Sequence, residues 1–413
     1  MSTTVLDEPA PRRWTEQRWT IDQTIALVGP EWDQGRFSQI VTAAGAETLA
    51  DVAAIRARCK RFVDIGPACE AIARRREARA EDALAVGRLT SARENFYLAA
   101  QYWATAQWPI VRNSAENHAM QERKRHCFES YAKLADHRIE AVSVPFQGKA
   151  LPAFLHLPVG YTEGRVPVVV SIPGMDGYKE RQVALYGDRW LSRGIAVLAL
   201  EGPGQYEAAL NGIPMTTARW SETGTACIDW LLTRPQIDPD GITITGHSFG
   251  SFFATIAFAG DSRFRACAVS GTVLEPGGYS IFEVACPSYK RRFMYMCGFV
   301  DEAAFDEFAE TITWEGSSHN IRSPYLCVTG EFDRLSPLKY TEAMMATIPG
   351  PKMLLVYQDA DHAVGGVPAS HNGPYFLTFM ADWISERLAG NPMQSERWFV
   401  QSSGTIVKEP YAT

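Results

Sequence analysis

The chain is short of the features that mark several protein classes. In its 413 residues no stretch approaches 18 uninterrupted apolar residues, so no membrane span is expected. Residues 1–20 have no apolar core of a signal peptide and carry Pro9, Pro11, Arg12 and Arg13. Eight cysteines are present but none forms C-x-x-C. Several, such as Cys267 and Cys327, sit in apolar runs. They read as buried free thiols rather than a disulfide framework or a zinc site, which suits a reducing, cytoplasmic setting. There is no H-E-x-x-H, and His118, His126 and His137 lack a ligand set, so neither metal nor cofactor is expected. Excess positive charge is also missing. The formal net charge is -7, which gives no general reason to bind nucleic acid or an anionic membrane. One basic cluster, Arg56 to Arg61 and Arg74 to Arg79, is interleaved with Glu70, Glu77, Glu81 and Asp82 and reads as a solvated helix face. No internal repeat or low-complexity segment appears.

What is present is an ordinary globular composition, 46% hydrophobic, in a chain long enough for a main domain and an additional one. The texture changes near residue 138. Before it, apolar residues recur at three- and four-residue spacing, as in helices. Ser91-Ala92-Arg93-Glu94 reads as a capping box, and Phe96, Ala99, Ala100, Trp103 and Ala106 share one face of the helix after it. After residue 138, strands and helices alternate. A hairpin around Gln147-Gly148-Lys149 is followed by strands at Val166–Ile172, Gly194–Leu200, Gly241–Thr245, Phe264–Ser270, Pro324–Thr329 and Met353–Tyr357. Helices are expected between them at 181–193, 216–233, 249–259 and 337–348, with 374–388 after the last. This order implies a mostly parallel sheet covered on both faces. The interval 272–320 is too long for a plain loop and reads as an inserted helical lid. The expected organisation is a helical unit at 1–137, a catalytic unit at 138–390 and a polar tail at 391–413.

Gly246-His247-Ser248-Phe249-Gly250 lies between a strand and a helix, the frame in which G-x-S-x-G is informative. The turn is tight enough that side chains two residues either side of the serine would clash. A serine needs a base to take its proton. In this chain order the acid follows one strand and the base follows the last, which selects Asp333 and His362, with Glu331 and His371 as lesser candidates and His319 weaker still. Two amides must meet the developing oxyanion. Phe249 supplies one; the loop Pro173-Gly174-Met175-Asp176-Gly177 supplies the other, from Met175 or else Asp176.

With these residues stated, the chain from about Ser91 to Leu388 resembles one branch of the α/β-hydrolases. That branch holds 2,6-dihydroxypseudooxynicotine hydrolase, the fungal polyketide-shortening hydrolase of melanin biosynthesis and the fermentation-respiration switch esterase-like proteins. The marks are Ser91-Ala92-Arg93 with Tyr97-Leu98-Ala99-Ala100, Pro173 to Gly177 with Lys179-Glu180, Glu201-Gly202-Pro203-Gly204-Gln205, Gly246 to Gly250, and the Asp333 and His362 positions. The resemblance implies an α/β-hydrolase fold with an eight-stranded sheet, an N-terminal helical domain and a helical lid. It also implies cleavage of a carbon–carbon bond beside a carbonyl, with a carboxylesterase or thioesterase as the alternative, and a homodimer. Carbon–carbon cleavage releases a carbanion, so a proton donor is expected near the serine. Glu201, at a strand end, Glu275, at the start of the lid, and Asp176, in the loop after the third strand, are candidates for this role or for binding substrate, although a structural bond to the turn at 202–204 also explains Glu201. Lid aromatics Tyr279, Phe282, Tyr289, Phe293, Tyr295 and Phe299, with Tyr102, Trp103 and Trp108, either wall a pocket or form a lid core. An apolar or aromatic carbonyl substrate follows. A prolyl-oligopeptidase-type peptidase would need a β-propeller, and a non-catalytic scaffold would not need an intact serine, acid and base.

Overall fold

The computed structural model describes residues 10–33 and 35–411. Six helices come first: α1 (Arg12–Val28), α2 (Arg36–Ala44), α3 (Leu49–Arg58), α4 (Ile65–Ala85), α5 (Leu89–Gln107) and α6 (Ala115–Ala132). The strands follow: β1 (Ile139–Phe146), β2 (Lys149–His156), β3 (Val166–Ile172), β4 (Ala196–Leu200), β5 (Ile237–His247), β6 (Cys267–Ser270), β7 (Tyr325–Gly330), β8 (Lys352–Tyr357), β9 (Glu396–Val400) and β10 (Ile406–Pro410). Among and after them lie α7 (Tyr206–Leu210), α8 (Thr217–Leu232), α9 (Phe249–Gly260), α10 (Pro287–Cys297), α11 (Glu302–Ala309), α12 (Leu338–Thr347), α13 (Pro368–Asn372) and α14 (Phe376–Leu388).

The strands form one sheet in the order β1-β2-β4-β3-β5-β6-β7-β8-β9-β10. From β4 to β9 neighbours run parallel; β1, β2 and β10 are antiparallel. The β-branched run of β3 shows why the centre is parallel. Val168 and Val170 pack on one face and Val169 on the other, all at most 1% exposed, so both faces need a covering layer. On one side that layer is α8, α9 and the segment between β6 and β7. On the other it is α14 and the N-terminal helices: Phe154, Val169 and Val197 share a continuous apolar cluster with Ile72, Tyr97 and Trp103. Each such fully buried side chain contributes on the order of 1.5–3 kcal/mol. The strand order reverses direction at β3/β5, which opens a crevice above their carboxyl ends.

Several expectations need correction. The sheet has ten strands, not eight, because residues 396–410 form β9 and β10 rather than a loose tail. Glu396 to Val400 pairs in register with Met353 to Tyr357, and backbone pairing there outweighs the polar composition. The helix expected at 181–193 reduces to short 3-10 turns at 179–181 and 191–193. Gly187 adopts φ 72° and the Asp188 carboxylate accepts from the Leu191 amide at 2.6 Å, so turn chemistry prevails over periodicity. Helix α5 begins at Leu89, which leaves Ser91 inside the first turn and not at a cap. The basic cluster is only partly solvated. Arg76 is buried and donates to Asp51 at 2.6 Å and to Asn95 at 2.9 Å, while Glu77, also buried, accepts from the Trp103 indole. All eight cysteines are free, and all but Cys286 are buried. Among the described residues no helix is long and apolar enough to cross a membrane.

Candidate active site

Ser248 stands between β5 and α9 with φ 57° and ψ -132°, a region that a residue with a side chain enters only under constraint. The constraint is backbone crowding. A Cβ on Gly246 would lie 1.9 Å from the Gly250 carbonyl oxygen, and one on Gly250 would lie 2.4 Å from that of Ile172. Gly246→Ala should therefore cost at least about 2 kcal/mol of stability, as forced overpacking does, and lower the urea midpoint accordingly. An unchanged midpoint would mean that the turn relaxes freely.

Around that turn the structure brings together three of the expected residues from three strand ends. His362 Nε2 is 3.0 Å from Ser248 Oγ, and its Nδ1 is 2.8 Å from Asp333 Oδ2. Asp333 is 3% exposed, and its Oδ1 accepts from the amides of Leu335 and Ser336 at 2.9 and 3.2 Å. The carboxylate is thereby fixed in plane, with one oxygen left for the imidazole. Burial disfavours the charged imidazole, but the Asp333 charge and hydrogen bond outweigh it and raise the His362 pKa above the ordinary value. Glu331 is used elsewhere, accepting from the Asp359 amide at 3.1 Å, and His371 lies exposed on α13.

The loop after β3 comes close to the serine. A Cβ on Gly174 would sit 2.9 Å from Ser248 Cβ, so Met175 and Asp176 border the same space. The Phe249 amide is the first of α9 and has no acceptor within its helix, while its ring is buried against Phe293 at 4.3 Å. The start of α9 and the loop that carries Met175 thus border Ser248 from the two strands at the sheet's reversal.

Ser248 and His362 open on a cavity of about 610 Å³. Its apolar wall includes Trp32, Met175, Val284, Tyr289 and Leu335; its polar wall includes Asp33, Asp176 and Arg181. The lid aromatics mostly serve as a lid core: Phe282, Phe293, Phe299 and Phe305 pack on one another and on Phe249, and Tyr279 is exposed. Tyr102 and Trp103 are buried among the N-terminal helices and do not line the cavity. Neither do the two glutamates. Glu201 is fully buried between Lys124 and Lys179, 3.4 and 3.0 Å away, and those charges lower its pKa against the effect of burial. Glu275 accepts from the Ser280 amide at 2.7 Å and ties down the first turn of the lid.

The contribution of residues 31–39 has no counterpart in the sequence reading. Trp32, Asp33 and Gln39 line the cavity. The Asp33 carboxylate accepts from Arg36 and from the Ser288 hydroxyl at 2.7 Å, and its carbonyl accepts from the Tyr289 hydroxyl at 2.8 Å. Arg36 also reaches Asp176 at 3.3 Å, and the Trp108 indole donates to Asp176 at 2.5 Å. One buried polar knot thus joins the N-terminal helices, the lid and the loop that carries Met175. Arg334 pairs with Asp361 and so bridges the loops that bear Asp333 and His362. The only legible hint was position, since Arg334 follows the acid and Asp361 precedes the base. Among the described residues, two acidic groups have metal-like spacing. The group Glu283, Glu302 and Asp306 already holds Lys290 Nζ at 2.6–2.7 Å, and in the group Glu77, Glu81 and His126, Glu77 is paired with Arg123.

Comparison with known proteins agrees with this architecture. The family model described as esterase FrsA-like matches residues 72–283, and that of the prolyl oligopeptidase family matches 215–391. The α/β hydrolase xenA of Xenoacremonium sinensis is 29% identical over 250 residues, covering 58% of this chain and 57% of that protein. The 20-hydroxy-prefusarin hydrolase FUS2 of Gibberella moniliformis (strain M3125 / FGSC 7600) is 26% identical over 259 residues, covering 58% and 59%. The matched region therefore spans a little over half the length of these relatives. The crystal structure of 2,6-dihydroxy-pseudo-oxynicotine hydrolase superposes with a TM-score of 0.73 at 22% identity, over 87% of this chain and 98% of that one, and shares the fold.

Proposed function

The chain belongs to the FrsA-like esterase family of α/β-hydrolases, and we propose that it hydrolyses a small carbonyl substrate with Ser248 as nucleophile, His362 as base and Asp333 as the acid that orients it. The observation that carries this reading is the unbroken hydrogen-bonded row from Ser248 through His362 to Asp333, facing a cavity. His362 takes the serine proton and Oγ attacks the carbonyl carbon. The oxyanion rests on the amides of Phe249 and Met175, each such donor contributing on the order of 3 kcal/mol. The leaving group departs with the proton from His362. Water, deprotonated by His362, then adds to the acyl-serine and releases the acid and the free hydroxyl.

Within this reading the leading reaction is cleavage of a carbon–carbon bond beside a carbonyl, supported by the motifs shared with hydrolases of that kind. Its leaving group is an enolate that must gain a proton, and His362 is the donor in reach of the nucleophile. Ester hydrolysis is the second reading. Of the three proton-donor candidates only Asp176 reaches the cavity wall, where it accepts from Arg36 and Trp108, and this favours ester hydrolysis because an alkoxide asks less of a further acid than an enolate does. A homodimer and a cytoplasmic setting also belong to this proposal, resting on the resemblance and on the free thiols. Mass spectrometry of products from aryl β-diketones and matched aryl esters separates the two. A ketone plus an acid from the diketones, lost in Ser248→Ala, supports carbon–carbon hydrolysis; turnover of esters alone demotes it.

The pH profile provides a separate test. His362 acts only when neutral, and its pKa is raised. The limb of kcat/KM is therefore expected to rise through a midpoint above the ordinary 6.5. Asp333→Asn removes the charge that raises it and should move the midpoint down. A wild-type midpoint at or below 6.5 would contradict the pairing.

A further inference from the structure

Each carboxylate that lines the cavity has a guanidinium partner. Glu31 is paired with Arg56 at 2.7 Å, Asp361 with Arg334, and Asp33 and Asp176 share Arg36. That shared pair is completed by neutral donors, Ser288 to Asp33 and Trp108 to Asp176. Arg181 also lines the cavity beside Ser248 and His247, yet among the described residues no carboxylate lies within 4 Å of it. Its guanidinium carbon instead lies 5.1 Å from the centre of the Tyr178 ring. The neighbouring His247 carries no charge to oppose or replace it, because burial and the charges of His362 and Arg181 push its pKa down to about 3. The Tyr178 side chain also shares a hydrogen bond with Arg181, and a half-buried guanidinium without an acid beside it keeps the rest of its hydrogen-bonding fork for whatever enters. That fork matches the two oxygens of a carboxylate.

We propose that Arg181 anchors a carboxylate on the substrate, so that the enzyme takes a keto acid or half-ester whose acid end lies within the cavity beside the reacting carbonyl. The placement beside the nucleophile rests on the serine-hydrolase reading, but the binding itself does not require turnover. Arg181 is a specificity residue in this view and takes no proton.

The test uses the full chain with Ser248→Ala, which permits binding without reaction. The probes are 5-oxo-5-phenylpentanoate and its primary amide, which differ in charge but hardly in shape, compared by titration calorimetry. The acid is expected to bind at least tenfold more tightly, about 1.4 kcal/mol. Adding Arg181→Gln should bring the acid-to-amide ratio close to one, and Arg181→Lys should keep part of it. The Lys variant guards against a fold defect in the Gln variant, and a matching thermal melt completes that control. Equal affinity for acid and amide, a ratio that survives Arg181→Gln, or no measurable binding of either probe would overturn the assignment. Labelling of the wild-type protein by a fluorophosphonate is the separate arm. Failure to label Ser248 would count against the serine reading, while the affinity ratio would still report on Arg181.

Discussion

Replacing Ser248 by alanine is expected to cut turnover by roughly 10⁴- to 10⁶-fold, because the members of such a row act as a unit. The size of the effect separates two chemistries. If Oγ forms the covalent bond, no neighbouring group takes over its role, and the residual rate comes only from the two amides and from binding. If His362 activates water directly and the hydroxyl merely assists, a fall of about tenfold is expected instead. Steady-state kinetics on any accepted substrate decides between them. The substitution should leave stability nearly unchanged, since alanine removes one hydroxyl from a cavity wall. His362→Ala should produce a loss similar to that of Ser248→Ala, and the double variant should be little worse than either single one.

The second large effect concerns stability. Lys124→Met is expected to lower the unfolding free energy by about 3–5 kcal/mol, the cost of leaving a buried charge without its partner. Lys124 is fully buried on α6, and its Nζ lies 3.4 Å from the carboxylates of both Glu180 and Glu201. Lys179 supplies the other cation, at 3.1 Å from Glu180, 3.0 Å from Glu201 and 2.6 Å from Glu207. Two ammonium groups thus face three carboxylates, and methionine would leave one against three. Glu180 is the most vulnerable member. Its oxygens lie within ion-pair range of both lysines but accept no hydrogen bond of good geometry, so only charge compensates its burial. Methionine keeps most of the aliphatic volume, which ties the loss to charge rather than to a cavity. Urea unfolding measures it. Glu180→Gln in the same chain should restore part of the stability by removing one surplus charge. A loss below about 1 kcal/mol would show that the network adjusts through Lys179 alone.

These two cases mark the limit of what the sequence makes legible. Ser248, Asp333 and His362 could be read because each follows a β-branched or apolar run at the place where a parallel sheet releases its chain. That the loop carrying Met175 comes close to the serine was legible through Gly174 and Gly177. Such signals are local, involving a few consecutive residues and the period of one strand. Lys124 and Glu201 belong to a different kind of fact. They are 77 positions apart and meet only because α6 packs beside α7, next to the point where the chain leaves β4. A lysine on an amphipathic helix reads as solvated until that packing is known. The same holds for Trp32 and Asp33, which meet the lid at residues 286–289, and for Arg181, which periodicity assigned to a helix that turn chemistry does not allow. The lid aromatics were legible as apolar but not as to which surface they served, since a core and a pocket call for the same side chains.

The meeting of Asp33 with Ser288 and Tyr289 has a consequence in time. The partners are 255 and 256 positions apart, so their contact closes one of the longer spans in the chain. During synthesis the N-terminal helices emerge before any strand that will cover them, and the cavity gains its far wall only after β5 and β6 are in place. Closing so long a span delays contacts more than it weakens them, because loop entropy grows only as the logarithm of length. Residues 288 and 289 nevertheless emerge before Asp333 and His362, so the far wall of the chamber can form before the row of serine, histidine and aspartate is complete, and a space that selects a substrate precedes the groups that react with it.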